Sequence, residues 1–215
     1  MLKSSHRLAV LLHEGITGLQ GKTGLTLLRY SPAQVVCAID RSVAGQSLVE
    51  LTGIERDVPI VDSIQSALSY QPDVLAIGIA PSGGIIPQSW LAELRVAVAA
   101  GLSIVNGLHT PLANHPQLVG LLQPNQWIWD VRQEPSGLKI GSGAAKSLPC
   151  NRVLMVGTDM AIGKMSAALE LQRTCERRRV RSRFIATGQA GMMISGEGVA
   201  LDAVRVDYAA GAVEQ

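Results

Sequence analysis

Short apolar runs alternate with stretches of helical periodicity along the first 115 residues. The runs have the length and the branched side chains of buried strands, and they cover residues 7–14, 34–40, 58–61, 73–80 and 103–107. Between them, helices are predicted just before Pro32, after the N-cap Ser63, and from about Gln88 to Ala100. This alternation predicts an α/β fold, and we interpret residues 1–115 as a Rossmann-like domain with a doubly wound parallel sheet.

The alternation is interrupted over residues 116–150, where turn residues predict a connector with short strands. It then resumes with an apolar run at 152–156, a glycine-rich turn, a helix from Gly163 to about Arg178, a second strand at 182–187 and a helical pattern at 203–213. These elements predict the first part of a P-loop NTPase-like α/β domain over residues 151–215. Because two strands make a small sheet, we expect this domain to be incomplete and the chain to be truncated at its C-terminus.

The turn at the start of this second domain carries the strongest chemical signal. It reads Gly157-Thr158-Asp159-Met160-Ala161-Ile162-Gly163-Lys164. Backbone N–H groups and a helix N-terminus converge in such a turn, and the lysine adds a positive charge, so the pattern favours a bound phosphate group. We predict cofactor binding by the two glycines, Thr158, Lys164 and the two residues that follow, Met165 and Ser166.

Two departures from the common P-loop pattern bear on the chemistry. Five residues separate Gly157 from Gly163 instead of four, a spacing that resembles dethiobiotin synthetase-like ATP enzymes. Met165 stands where a metal-binding hydroxyl is expected, and Ser166 comes one position late. The sequence therefore predicts phosphate binding by the loop and leaves a role for Mg²⁺ open.

A second glycine-rich turn, Gly15 to Gly24, follows the first predicted strand. It does not fit the dinucleotide fingerprint, and Asp40 is the one acidic candidate for a ribose hydroxyl. The segment resembles the CoA-binding domain of succinyl-CoA synthetase, which implies cofactor contacts at Gly15, Thr17 and Gly18. The alternative is a Rossmann-like turn that binds nothing.

Net charge, cysteine spacing and the length of the apolar runs limit the classes of partner and the cellular location that can be expected. Nineteen Lys and Arg against 17 Asp and Glu give a net charge of +2, which argues against a nucleic-acid or membrane partner and favours a small-molecule substrate. The three cysteines lack metal-binding spacing, and we predict no metal site in the chain. Apolar runs are too short for a signal peptide or a membrane span, so we expect a cytoplasmic protein, with homo-oligomerisation left open.

The two glycine turns together resemble one known family. The residues that carry the resemblance are Gly15-Ile16-Thr17-Gly18, Gly157-Thr158-Asp159, Gly163-Lys164-Met165-Ser166, Thr187-Gly188-Gln189 and Met193-Ile194-Ser195-Gly196. The chain is similar to the D-glutamate N-acetyltransferase-like family, formerly catalogued as a domain of unknown function. The resemblance covers the whole chain.

That resemblance implies an enzyme that transfers an acetyl group from acetyl-CoA to the amine of a D-amino acid such as D-glutamate. Asp159 and Asp207 are then the candidate catalytic bases. Two alternatives remain: an ATP-dependent P-loop enzyme of the dethiobiotin synthetase type, and a non-catalytic nucleotide-binding protein. Whether acetyl-CoA or ATP occupies the P-loop, and whether a truncated chain is active, stay open.

Overall fold

The computed structural model describes residues 2–81, 86–159 and 162–215. The chain divides into two compact units, Met1–Arg132 and Gln133–Gln215. The predicted loop residues 82–85 and the P-loop residues Met160 and Ala161 lie outside the described part of the chain.

The first unit is built on a parallel sheet of six strands. In chain order the strands are β1 (Arg7–Leu11), β2 (Gln34–Ile39), β3 (Ile60–Val61), β4 (Val74–Ile77), β5 (Ser103–Asn106) and β6 (Ile128–Asp130). In space they follow the order β3-β2-β1-β4-β5-β6, so the direction of winding reverses between β1 and β4. The predicted Rossmann-like, doubly wound sheet is confirmed. Ligands of such sheets bind at the carboxyl ends of the strands, near this reversal.

Five helices connect these strands: α1 (Lys22–Tyr30), α2 (Leu48–Thr52), α3 (Ile64–Leu68), α4 (Gln88–Ala99) and α5 (Pro116–Val119). The predicted N-cap Ser63 is confirmed, since its side chain accepts a hydrogen bond from the backbone N–H of Ser66. Helix α2 was not predicted. It is a single turn that begins after the N-cap Ser47 and ends at Gly53, whose φ of 65° is left-handed.

The core explains why the strands read as continuous apolar runs. Residues Leu8 to Leu11 of β1 are fully buried, because β1 has a paired strand on each side and helices on both faces of the sheet. Helix α4 packs on this core through apolar residues three or four positions apart, namely Leu91, Leu94, Ala97 and Val98.

The edge strand β6 is one of the short strands predicted for the connector at residues 116–150, but it belongs to the sheet of the first unit. Ile128, Trp129 and Asp130 pair in parallel with Ile104, Val105 and Asn106 of β5. The first unit consequently reaches Arg132, and the two compact units meet in sequence between Arg132 and Gln133.

In the second unit, the longest element is α6 (Lys164–Arg177), in agreement with the helix predicted from Gly163 to Arg178. Two shorter helices follow, α7 (Gln189–Ser195) and α8 (Ala209–Glu214). Single 3₁₀ turns lie at Ala144–Ser147, Leu201–Ala203 and Val206–Tyr208.

The two strands predicted for this unit are not formed. Residues 152–156 pair with no described strand, and residues 182–187 make one isolated bridge, Ala186 to Gly198. Leu154 and Val156 are 81% and 79% exposed. An apolar run becomes a parallel strand only when neighbouring strands take up its N–H and C=O groups and helices cover its faces. Neither condition holds here within the described residues.

Candidate functional site

The predicted P-loop lies at the N-terminus of α6. Gly163 precedes the helix with a φ of 98°, a conformation that side-chain-bearing residues rarely adopt. A Cβ atom on Gly157 would lie 2.5 Å from Ile162 Cδ1 and 3.3 Å from Lys164 Cδ. Gly163 is therefore required by the path of the loop, whereas a Cβ atom at position 157 would displace only the flexible ends of two side chains. The Lys164 ammonium donates a hydrogen bond to the backbone carbonyl of Asp159, so the side chain folds back over the loop.

The predicted P-loop residues differ in exposure. Gly157, Thr158, Asp159 and Gly163 are exposed, whereas Lys164, Met165 and Ser166 are half-buried at the start of the helix. The cation thus lies beside an open backbone turn at the positive end of a 14-residue helix. This arrangement suits a phosphate group.

The second predicted base, Asp207, lies away from the P-loop in sequence, exposed in the 3₁₀ turn Val206–Tyr208. Its neighbour Arg205 pairs with Glu134 at 2.9 Å and stacks 4.6 Å from the centre of the Tyr208 ring. The hydrogen bond from Arg205 lowers the pKa of Glu134. The Arg205 side chain therefore contacts Glu134 and Tyr208, whereas Asp207 is exposed to solvent.

The glycine turn of the first unit is held from inside the protein by Asp40. This fully buried carboxylate accepts hydrogen bonds from the backbone N–H of Glu14 at 2.9 Å and of Ile16 at 3.0 Å. Ser42 adds its N–H at 3.0 Å and its hydroxyl at 2.7 Å. Burial alone raises the pKa of Asp40, but the bonds from Ser42, Ile16 and Glu14 outweigh it and the pKa is lowered. Asp40 therefore remains ionised and is not available for the ribose contact considered from the sequence.

The turn also brings backbone segments into close contact. A Cβ atom on Gly15 would lie 2.8 Å from the Leu12 carbonyl oxygen, and one on Gly18 would lie 2.3 Å from that of Glu14. Further on, the Gly24 N–H donates to the Gly78 carbonyl at 2.7 Å, which joins α1 to the residue after β4. Of the predicted contacts, Gly15 is buried by this packing, whereas Thr17 and Gly18 are exposed at the carboxyl edge of the sheet.

A cluster that the sequence did not reveal lies at the same edge, where β1, β2 and α4 meet. His13 Nε2 lies 2.7 Å from Glu93 Oε2, and Arg41 Nη2 lies 2.6 Å from Glu93 Oε1. The His13 side chain is 2% exposed, that of Glu93 20% and that of Arg41 49%. The cluster is thus buried at the imidazole and open at the guanidinium.

A second carboxylate, the half-buried Asp130, holds a loop at the other end of the edge. Asp130, the last residue of β6, accepts the backbone N–H of Leu112 at 3.0 Å and of Ala113 at 2.9 Å. Asn106, the last residue of β5, donates to the same carboxylate at 2.7 Å and to the Thr110 carbonyl at 2.8 Å. The loop after β5 is therefore shaped by side chains at the ends of two adjacent strands.

The described residues contain neither a candidate metal site nor a candidate membrane-spanning helix. No group of three or more His, Cys, Asp or Glu side chains in the described ranges is placed to hold a metal ion. No helix over those ranges has the length and apolar character needed to cross a membrane.

Comparisons with known proteins match both units. Residues 41–134 match the description "Domain of unknown function (DUF1611_N) Rossmann-like domain", and residues 139–215 match "Domain of unknown function (DUF1611_C) P-loop domain". The crystal structure of a DUF1611 family protein from Anabaena variabilis ATCC 29413 is 65% identical in sequence, with a TM-score of 0.94. The match covers 98% of this chain and 62% of that protein.

Two curated relatives are both named D-glutamate N-acetyltransferase. The protein from Pseudoalteromonas sp. is 37% identical and that from Tritonibacter scottomollicae 36% identical, each over 153 residues or 71% of this chain. The matched segment spans 46% and 45% of their respective lengths.

Proposed function

We propose that the protein is an N-acetyltransferase. The chain belongs to the DUF1611 family, and it carries that family's Rossmann-like and P-loop domains in that order. The proposed reaction transfers an acetyl group from acetyl-CoA to the amine of a D-amino acid such as D-glutamate. The observation that carries the proposal is the P-loop, where Lys164 lies beside an open turn at the start of α6. The names of the two curated relatives supply the acetyl acceptor.

The donor set of the loop fits a CoA phosphate. Gly157 and Gly163 leave the backbone free of side-chain bulk, and Lys164 contributes one compact positive charge. Thr158, Met165 and Ser166 complete the segment that we assign to phosphate binding. A CoA phosphate and an ATP phosphate present the same oxygens to such a loop. The loop therefore fits a phosphate group but does not by itself distinguish CoA from ATP.

The first unit supports a cofactor other than a dinucleotide. In dinucleotide-binding domains an acidic residue after β2 holds the ribose hydroxyls. Here Asp40 occupies that position, but its carboxylate is buried and accepts four hydrogen bonds from the protein itself. We propose this turn, shaped by Gly15 and with Thr17 and Gly18 exposed at the carboxyl edge, as the alternative to the P-loop for contacts with the acyl-CoA cofactor.

The transfer requires an unprotonated amine. Acetyl-CoA would supply the thioester carbonyl, and a protein group must remove the ammonium proton before the amine attacks that carbonyl. The amide bond forms as the C–S bond breaks, and CoA leaves as the thiol after its sulfur takes up a proton. Asp159 is our first candidate base, because its backbone is fixed at the P-loop by Lys164. Asp207, exposed on a different turn, is the second. Replacing the catalytic base by Asn is expected to lower kcat by at least about 100-fold. The same replacement at the other aspartate is expected to leave kcat unchanged.

Titration calorimetry of the full-length protein tests the phosphate site. Acetyl-CoA is expected to bind the wild type and to lose at least about tenfold in affinity with Lys164→Ala, because a charge-assisted contact to phosphate is removed. Lys146→Ala is the matched control, since Lys146 is an exposed lysine of the same unit. Equal affinity of the Lys164→Ala variant and the control for acetyl-CoA would disprove the assignment.

A second candidate function is that of an ATP-dependent enzyme of the dethiobiotin synthetase type. The observation that favours it is the spacing of five residues between Gly157 and Gly163. Magnesium-dependent ATP binding without acetyl-CoA affinity favours that reaction over acetyl transfer. For either enzyme we propose a cytoplasmic location and a small-molecule substrate, without a nucleic-acid or membrane partner. Sedimentation of the purified protein decides whether it forms a homo-oligomer.

A further inference from the structure

We propose that Arg41 binds the side-chain carboxylate of an acidic amino-acid substrate, and that Glu93 and His13 are positioning residues for its guanidinium. The identity of the substrate rests on the proposed function. The anion site itself rests on the geometry of these three side chains.

The position of Arg41 suits a ligand contact. It follows Asp40 directly after β2, at the carboxyl edge of a parallel sheet, where ligands of such sheets bind. Asp40 fixes the neighbouring glycine turn through Glu14 and Ile16, so Arg41 is one residue from a rigid part of the edge. A residue held in this way keeps its direction before any ligand arrives.

The guanidinium is held on one side only. Its Nη2 atom donates to Glu93, and its Nε atom lies 3.5 Å from His13 Nδ1. Within the described ranges, Nη1 donates to no acceptor, and about half of the side chain is exposed. A guanidinium with an open edge matches the two oxygens of a carboxylate, which it binds with paired hydrogen bonds.

The buried members of the cluster account for this orientation. Arg41 places both its backbone N–H and its Nε 3.5 Å from His13 Nδ1, so Nδ1 faces donors and Nε2 faces the Glu93 carboxylate. The neutral imidazole with its hydrogen on Nε2 fits both neighbours. Glu93 is thereby held by His13 through one oxygen and holds Arg41 through the other.

The Trp90 side chain adds an apolar neighbour on the same helix. Trp90 and Glu93 are three positions apart on α4, so they share one face of the helix. The Trp90 ring centre lies 6.4 Å from that of His13. The cluster therefore combines one outward-facing cation with a buried imidazole and the half-buried side chains of Glu93 and Trp90, as expected for the recognition of a charged side chain on a small substrate.

A binding experiment tests the anion site without acetyl transfer. Full-length protein is titrated with glutarate, which carries the two carboxylates of glutamate but no amine. Wild type and the matched control Arg95→Gln, which removes an exposed arginine from α4, are expected to bind equally. Arg41→Gln is expected to bind at least about tenfold more weakly. No binding by the wild type, or equal binding by Arg41→Gln, overturns the proposal.

A kinetic experiment tests the specificity. With acetyl-CoA as donor, Arg41→Gln is expected to lower the preference for D-glutamate over D-glutamine by about 10- to 100-fold, with an unchanged KM for acetyl-CoA. A retained preference overturns the role of Arg41 but leaves the acetyl transfer in place. Wild type that binds glutarate through Arg41 but transfers no acetyl group contradicts the proposed function and leaves the anion site in place.

Two more variants separate positioning from folding. Arg41→Lys keeps the charge but loses the paired donors, so its KM for D-glutamate is expected to lie between those of the wild type and Arg41→Gln. Glu93→Gln is expected to raise the same KM with little change in kcat. An unchanged KM in Glu93→Gln, in protein with the wild-type tryptophan fluorescence, contradicts the positioning role.

Discussion

Asp40→Asn provides the sharpest test of how the glycine turn is held. The carboxylate accepts three hydrogen bonds at Oδ1, from Glu14 and twice from Ser42, and one at Oδ2 from Ile16. An amide cannot accept on both sides. If its oxygen keeps the three bonds at Oδ1, its NH₂ group faces the Ile16 N–H, and two donors meet in a buried site.

The expected loss follows from these contacts. A buried N–H without an acceptor costs about 1–3 kcal/mol, and the loss of the negative charge weakens the three remaining bonds by about 1 kcal/mol in total. The free energy of unfolding of the first unit should therefore fall by about 2–4 kcal/mol, a large share of the stability of a typical domain. Glu14 adds to the effect, because its left-handed φ of 60° depends on the same carboxylate for support.

The assay exploits the distribution of tryptophan. All three tryptophans, Trp90, Trp127 and Trp129, belong to the first unit, so their fluorescence during urea unfolding reports on that unit. The urea midpoint of Asp40→Asn should fall without a change in the slope. Asp57→Asn, which removes an exposed carboxylate from the same unit, is the control and should leave the midpoint nearly unchanged.

The pH dependence follows from the lowered pKa of Asp40. A carboxyl group whose native pKa is lowered contributes stability above its unfolded pKa of about 4, and that contribution is lost as the pH falls through the native pKa. The stability difference between wild type and Asp40→Asn should therefore be constant from about pH 5 to 8 and shrink below about pH 4. The reasoning is refuted if Asp40→Asn unfolds at the same urea concentration as Asp57→Asn at neutral pH.

Three further predictions concern close packing and buried groups. Gly24→Ala places a methyl carbon 2.5 Å from Leu12 Cδ2 and should destabilise the first unit by about 1–3 kcal/mol; an unchanged urea midpoint contradicts the close approach. Asp130→Asn should cost about 1–3 kcal/mol, because the new NH₂ group must face either the Ala113 N–H or the Asn106 NH₂ group, and two donors then meet; an unchanged urea midpoint argues against it. Burial raises the pKa of the Cys37 thiol to about 12, so at pH 8 dithiobis(nitrobenzoate) should label the exposed Cys150 at once and Cys37 only in urea.

Long elements of the first unit could be predicted because their own residues determine them. Helix α4 has a repeating apolar face over 12 residues, and β1 is an apolar run buried on both faces. Strand β6 has three residues and depends on pairing with β5 across an intervening loop and helix. The sequence predicts short strands in this segment, but it does not assign one to the sheet of the first unit, because the pairing partner is not visible in the strand's own sequence.

The same distinction separates the parts of the site. The P-loop could be predicted because its glycines and Lys164 lie within eight consecutive residues. The Arg41 cluster could not, since His13 and Glu93 are 80 residues apart and meet only because α4 packs beside the ends of β1 and β2. From its position after β2, Asp40 is the one acidic candidate for a ribose contact, whereas in the structure its carboxylate accepts hydrogen bonds from the protein's own backbone.

The strand order has a consequence for how the chain folds during synthesis. Among the six strands, β1 is synthesised first, and β2 and β3 then add one after another on one side of it. Strand β4 returns to the free edge of β1, and β5 and β6 add outward from there. Each strand after β1 therefore pairs with a strand that has already been synthesised. Among the described strands, the pairing of β4 with β1 joins the two neighbours that are farthest apart in the sequence.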